Sequence, residues 1–445
     1  MPIQPLPDNP DLEKLKANAK LLRDAMRADD PTVKLADAQL AVARNHGFPS
    51  WPKLRAHVLL VNSFTRRPGD VDPAGDLLAL GCLTYADDSV RVAAGKALLA
   101  ERPELAGESI WTAAACGDVA AVSSNLADVN REGGPFAWTP LVYLCYSRLD
   151  VGDPLATARV LLDAGADPNG GYLWQGLPSA FTCVTGALGG GEGDQPPHPQ
   201  SLALARLLLE RGADPNDDQA IYNRGLGGSA ADDTGYLSLL LEFGLGHDRG
   251  GPWRRRLGPA LPTPAELLGE ALQGAVENGR VARTRVLLAG GADPNGHGQH
   301  PLFHGRSAIE GAVRNGQRAV VELLVAAGGD LSSVDPIEVT LGQLLGGELV
   351  DDVTAALARE PGLVRRAVEL GRPPAILRAL VERGWDVNHR ARTTALHEAA
   401  WRGDLDAIRT LLDLGADPTI EDTEFHATPK GWAEHNAEAE AAALL

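Results

Sequence analysis

Methionine occurs twice and cysteine four times in 445 residues, and Phe, Trp and Tyr together make up only 5% of the chain. The cysteines, Cys82, Cys116, Cys145 and Cys183, lie 34, 29 and 38 residues apart, so no C-x-x-C pair exists to hold zinc or cycle as a dithiol. Thiols spaced this way are expected as small buried core residues, with a reactive thiol as the alternative. Basic charge is also short. Lys plus Arg total 41 against 59 Asp plus Glu, and a net charge of −18 repels phosphate backbones, which argues against a nucleic-acid partner. The local exception, WRRRLG (Trp253 to Gly258), is expected as an exposed loop with solvated charges. No run approaches the roughly 18 uninterrupted apolar residues of a membrane span, and MPIQPLPDNP lacks the basic and apolar regions of a secretory signal, so a cytosolic protein without membrane association is expected. Nucleophile-elbow, H-E-x-x-H and kinase signatures are missing. GALGGGEG (Gly186 to Gly193) has neither a preceding strand nor the Gly-Lys-Ser/Thr of a phosphate loop, and no cofactor is expected.

What the chain does have is ordinary globular composition, 44% apolar and 22% charged, and a recurring pentapeptide. GADPN begins at Gly165, Gly212 and Gly291, each time after apolar residues at helical spacing: RVLLDAGADPN, RLLLERGADPN and RVLLAGGADPN. The glycine after the helix end recurs at Gly165, Gly212, Gly244, Gly291, Gly328, Gly384 and Gly415, at intervals of 47, 32, 47, 37, 56 and 31. Glycine there stops the helix in the left-handed conformation. Asp-Pro-Asn then forces an extended turn, because the residue before proline is pushed out of the helical region and asparagine tolerates turn geometry.

A whole unit is visible in TTALHEAAWRGDLDAIRTLLDLGADPT (Thr393 to Thr419): a capping threonine, a short helix, a turn at RGD, a returning helix and a loop. This stretch resembles the ankyrin-repeat family, whose T-P-L-H, A-A, G and L-L-x-x-G-A-D consensus is matched almost letter for letter from Thr394 to Asp417. WTPLVYLCYSR (Trp138 to Arg148) matches too, with valine in the histidine place. The resemblance extends over residues 70–445 and implies an all-α ankyrin-repeat solenoid of about ten helix-turn-helix-loop units, some degenerate, including one near VDDVTAALAREPGL (residues 350–363). It also implies a structural hydrogen bond between repeats for His397, and a capping unit at TPKGWAEHNAEAEAAALL.

Residues 1–64 are expected as a separate helical module ahead of the array at 65–445. That module resembles segments preceding ankyrin repeats in some bacterial proteins, and only 7 of the 41 basic residues are lysine, which fits a GC-rich bacterial source. Two intervals of 47 exceed the family period of about 33. Counting back from Gly212 leaves residues 189–200 as an insertion between the paired helices of one unit, the first helix being PSAFTCVTGAL. Counting back from Gly291 leaves residues 247–269 as an extension of a projecting loop.

Two functions fit. The first is a protein-binding scaffold using loop tips and the concave face of the first helices, with Trp138, Tyr172, Trp174, Tyr222 and Trp253 as aromatic anchors. The second is a small-molecule or catalytic site in the irregular middle, residues 136–260, built from Tyr172, Trp174, His198, Asp217, Asp218, Tyr222, Asn223 and Arg224. A deep pocket enclosed by Tyr172, Trp174, His198 and Tyr222 favours the second function; a shallow groove with dispersed aromatics favours the first. His198, between prolines in QPPHPQ, is expected to be solvated. His297, His300 and His304 share one loop and are read as polar finger residues, with metal binding as the weaker alternative.

Overall fold

The computed structural model describes residue 6 and residues 10–28, 30–64, 72–84, 90–174, 178–191, 195–226, 232–298, 303 and 305–445. The architecture is an all-α helical repeat, with a single two-stranded hairpin among the described residues. Local chemistry sets the helix starts. Asp153, Thr428 and Asp404 place side-chain oxygens on the amide of the third helical residue, and Pro154 and Pro429 follow as first helical residues, where the missing N–H is not needed. At the other end Gly165 (φ 92°) and Gly415 (φ 90°) adopt the left-handed conformation that ends their helices.

The asparagine of the loop motif does more than tolerate a turn. Asn169 Nδ2 donates to the Gly212 carbonyl (3.0 Å) while its Oδ1 accepts the Asp214 amide (2.8 Å), so each loop is stapled to the loop of the next unit. Asn388 repeats this with the Gly415 carbonyl (3.0 Å) and the Asp417 amide (2.7 Å), and Asn130 and Asn295 do the same along the chain. Loop groups that could not otherwise pair are satisfied two at a time.

The chain divides into two compact units, Met1–Ala271 and Leu272–Leu445. In the first, the helices Leu12–Met26 and Leu35–Asn45 close over Leu15, Ala19, Val42, Leu54 and Val58. The helix Trp51–Phe64 then packs on the hairpin and on the helix Pro252–Leu257, with Val61 buried against Leu173, Ala180, Trp253 and Leu257. The amino-terminal helices thus share a unit with the middle of the chain. In the second unit, first helices Leu363–Glu369, Ala395–Trp401 and Pro429–His435 stack in sequence order, and so do their returning partners Pro374–Glu382, Leu405–Asp413 and Ala439–Leu444. Leu377, Leu396, Ile408, Leu411 and Trp385 fill the space between them.

Two local expectations are corrected. Residues 253–258 are not an exposed loop: Pro252 begins a helix, Pro252–Leu257, whose Trp253 and Leu257 are buried, and only the arginines face outward. The first helix of the unit between Gly165 and Gly212 is also shorter than PSAFTCVTGAL. Ala180–Thr182 pairs antiparallel with Gly171–Leu173, and only Cys183–Leu188 is helical, started by Thr182 Oγ1 accepting the Val184 and Thr185 amides. All four cysteines are buried as thiols, none in a disulfide; Cys82 donates to the Tyr143 carbonyl (3.5 Å), and burial pushes the Cys116 thiol up to about 12.

Candidate functional site

The middle region places the expected anchors inside the molecule. Trp138 and Tyr172 are each only 3% exposed. They belong to a stack running Phe136, Trp138, Tyr172, Phe181, with ring centroids 4.6, 4.6 and 5.4 Å apart. Trp253 is buried as well, its indole N–H donating to the Asn169 carbonyl at 2.8 Å. These three are core residues: the hairpin and the inserted helix present apolar surface that the rings cover. Trp174 is partly buried and Tyr222 is exposed; residues 175–177 beside Trp174 lie outside the described residues.

His198 is buried, not solvated. Its amide donates to the Ala187 carbonyl (3.1 Å), Nδ1 accepts the Gln200 amide (2.9 Å), and burial, with Arg148 nearby, pulls its pKa down to about 3. Arg148, which the sequence does not single out, organises this insertion. It is buried, and its guanidinium donates to four carbonyls: Pro196 (2.7 Å), Gly186 (2.7 Å), Ser147 (2.9 Å) and Cys145 (3.1 Å). Gln195 donates to the Thr84 carbonyl and the Gly191 amide to the Asn223 carbonyl (2.9 Å), so the described residues of the insertion, 189–191 and 195–200, tie neighbouring units together. The extra residues here form a clasp.

The polar group around Asp218 is similarly occupied. Asp217 accepts from the hydroxyls of Thr182 and Thr185 and from the Ala220 amide (2.9 Å). Asp218 accepts from Ser179 (2.8 Å); burial and the adjacent Asp217 push it up to about 7. Asn223 Oδ1 accepts from Gln219 (2.7 Å), and Arg224 pairs with Asp233 (2.9 Å) over the Tyr236 ring. The cavity beside Asp217 and Asp218, lined also by Asn169, Thr182, Asp214 and Trp253, measures about 30 Å³. That is room for roughly one or two waters. Tyr172, Trp174, His198 and Tyr222 do not line it. In the later loop, His297 Nδ1 lies 2.8 Å from the Gly305 carbonyl, a turn contact; His300 and His304 lie outside the described residues. Among the described residues, no three His, Cys, Asp or Glu side chains gather as metal ligands.

An open groove of about 910 Å³ lies in the second unit, on the regular repeats. In the helix Ala395–Trp401 the residues Ala395, Leu396, His397, Ala399 and Ala400 are buried, which turns Glu398 and Trp401 outward on one face. The preceding first helix supplies Arg365 and Glu369, and the following one Trp432 and His435. Loop residues Arg392, Thr393 and Phe425 close the rim. Trp401 is 39% exposed and Phe425 65%.

The floor of the groove is rigidly held. His397 Nδ1 accepts the Thr394 amide (3.2 Å), which leaves Nε2–H to donate to the Ala427 carbonyl of the next unit (3.0 Å). Trp432 meets His397 edge-on (5.6 Å) and Trp401 edge-on (5.7 Å), and His435 stacks on Trp401 at 6.0 Å. Buried Asp422 accepts the Trp432 indole N–H (3.0 Å) and the amides of Glu424 (2.8 Å), Phe425 (2.6 Å) and Ala427 (3.1 Å). Burial alone raises a carboxyl pKa; here these four donors outweigh it and hold Asp422 well below the usual range.

Sequence reasoning missed Trp401, Phe425 and Trp432. For Trp401 the signal was present: Ala395, Leu396, Ala399 and Ala400 form the apolar stripe of the helix, and Glu398 and Trp401, three residues apart, share the face opposite it. Residues 364–412 match the family model described as ankyrin repeats (many copies), which supports an ankyrin-repeat protein. No curated protein matches the chain. Among the described residues no helix is long and apolar enough to cross a membrane.

Proposed function

We propose that the chain is a cytoplasmic, non-catalytic scaffold that holds a protein partner in the groove of its last repeats, lined by Trp401, Phe425, Trp432 and His435. Ankyrin repeats are generally protein-interaction modules, and the repeat match covers the helix that carries Trp401. The observation that carries the reading is the pair of exposed aromatic residues on a preordered frame. Large rings left in water beside a groove of about 910 Å³ are poised to be covered, and little side-chain freedom is lost when they are. In the middle region Trp138, Tyr172 and Trp253 are packed inside, and the cavity beside Asp217 and Asp218 accommodates about one or two waters.

The test is affinity capture from native lysate by the full chain and by Trp401→Ala, Phe425→Ala and Tyr222→Ala variants, each checked for an unchanged melting transition. Losing a buried aromatic anchor costs about 2 kcal/mol of binding, roughly thirtyfold. Retention should fall for the first two variants and persist for Tyr222→Ala. Equal retention by all of them removes the groove from the account.

A further inference from the structure

The groove is not only apolar. Two carboxylates, Glu369 and Glu398, line it together with the guanidiniums of Arg365 and Arg392. Arg365 Nη1 serves both carboxylates at once, pairing with Glu369 and lying 3.6 Å from Glu398. Arg392 is engaged elsewhere, 3.0 Å from Glu424. The lining holds two arginines and two glutamates, but Arg392 is turned to Glu424 outside it, so along the inner wall one guanidinium answers both Glu369 and Glu398, the latter also accepting the Thr393 hydroxyl (2.8 Å). The Glu369 carboxyl pKa is raised chiefly by burial, with Arg365 and Arg366 pulling it down and the neighbouring Glu398 and Glu360 pushing it up.

The aromatic rings point to the same chemistry. The face of an indole or phenyl ring carries negative potential, and a guanidinium or ammonium over it is attracted more strongly than an alkyl group of the same size. The groove already contains one such contact, the Arg392 guanidinium 5.9 Å from the centre of the Phe425 ring. Trp401 stands partly exposed one helical turn from Glu398, with His435 stacked on one side of its ring at 6.0 Å, and lines the same groove as Glu369 of the preceding first helix. Its ring and the two carboxylates offer an aromatic wall and a negative floor. Phe425 lies on the loop of the last unit, so the exposed rings belong to successive repeats and are covered together by an extended chain more readily than by one small cation.

We infer that the groove receives a segment of the partner protein bearing an arginine or lysine, whose cation rests on Trp401 and faces the carboxylates of Glu369 and Glu398. This rests on the groove being the docking face and specifies what docks there. The net charge of −18 acts in the same direction, drawing a basic segment toward the chain from a distance.

The experiment is calorimetric titration of the full chain with three ten-residue Gly/Ser peptides that differ at two central positions: arginine, citrulline or glutamate. Citrulline keeps the planar shape and removes the charge. The arginine peptide should bind about tenfold more tightly than the citrulline peptide and more tightly still than the glutamate peptide, with the preference weakened by added salt. Trp401→Ala and Glu369→Gln should each reduce the arginine-over-citrulline preference, and Trp401→Phe should keep most of it. Equal binding of arginine and citrulline peptides, preference for glutamate, or no binding of any peptide overturns the inference. If Trp401→Ala still abolishes partner capture in any of those cases, the docking face stands and only its cationic specificity falls; if partner capture is also indifferent to Trp401, both fall.

Discussion

The unit between Gly165 and Gly212 and the unit between Gly384 and Gly415 use the same helix-stopping glycine and the same asparagine staple, yet they dispose of their aromatic residues in opposite ways. In the first, a hairpin and a clasp of inserted residues create new backbone and new apolar surface, and both have to be covered. Tyr172 stacks onto Trp138, Trp253 donates to Asn169, Arg148 is spent on four carbonyls and Asp217 on two hydroxyls. In the second, the regular repeat already satisfies its backbone, so outward positions of the first helix are free to carry Trp401 and Glu398. Irregular sequence here marks added core; regular sequence marks available surface.

The sharpest way to break this contrast is to remove the clasp. Arg148→Ala leaves the carbonyls of Pro196, Gly186, Ser147 and Cys145 buried without their donor. At about 1–3 kcal/mol for each unsatisfied buried group, partly relieved by entering water, destabilisation on the order of 3 kcal/mol or more is expected. Hydrogen exchange should accelerate in Pro140–Tyr146 and Cys183–Leu188 and stay unchanged in Ala395–Trp401. Equal acceleration in both places would erase the distinction.

Acidity separates the regions next. The His198 pKa is depressed from 6.5 to about 3, so the folded state keeps a neutral ring while the unfolded chain takes up a proton, and stability is lost as pH falls below 6.5. Asp218 is raised from 3.8 to about 7, so its contribution is fully present below 3.8 and is lost as pH rises through 7. Between 3.8 and 6.5 the two slopes oppose each other, each up to about 1.4 kcal/mol per pH unit. In urea unfolding of the first unit these two contributions offset each other, while Asp217, also raised by burial, adds to the slope of Asp218 and His57, lowered by burial, to that of His198, so each variant is compared with the wild-type profile. Relative to that profile, Asp218→Asn should lose stability on acidification, and His198→Asn should gain it. Parallel profiles for the two variants would contradict the burial assigned to one of them.

A smaller effect should be common to both regions. Asn169→Ala and Asn388→Ala each remove two neutral hydrogen bonds between adjacent loops, about 1–2 kcal/mol by denaturant titration. Smallest for stability is Trp401→Ala, which gives up the contacts with Trp432 and His435 at about 1 kcal/mol, although binding should suffer most.

Much of this was legible beforehand. Gly165, Gly212, Gly291 and Gly415, with the Asp-Pro-Asn that follows three of them, set the period, and Thr394 and His397 mark a helix start. What a single chain position does not reveal is its partner. The staple made by Asn388 exists only when the next loop lies alongside, and Trp138 becomes core only because the hairpin brings Tyr172 onto it. Residue type made the middle aromatics look like anchors; the hairpin and the helix Pro252–Leu257 are what bury them.

The most direct measurement is hydroxyl-radical footprinting of the full chain, free and saturated with its captured partner, read residue by residue by mass spectrometry. The account predicts strong oxidation of Trp401 and Phe425 in the free chain and protection of both in the complex, with Trp138, Tyr172 and Trp253 unreactive throughout. Protection centred on Trp174 and Tyr222, with Trp401 equally oxidised in both states, would contradict it.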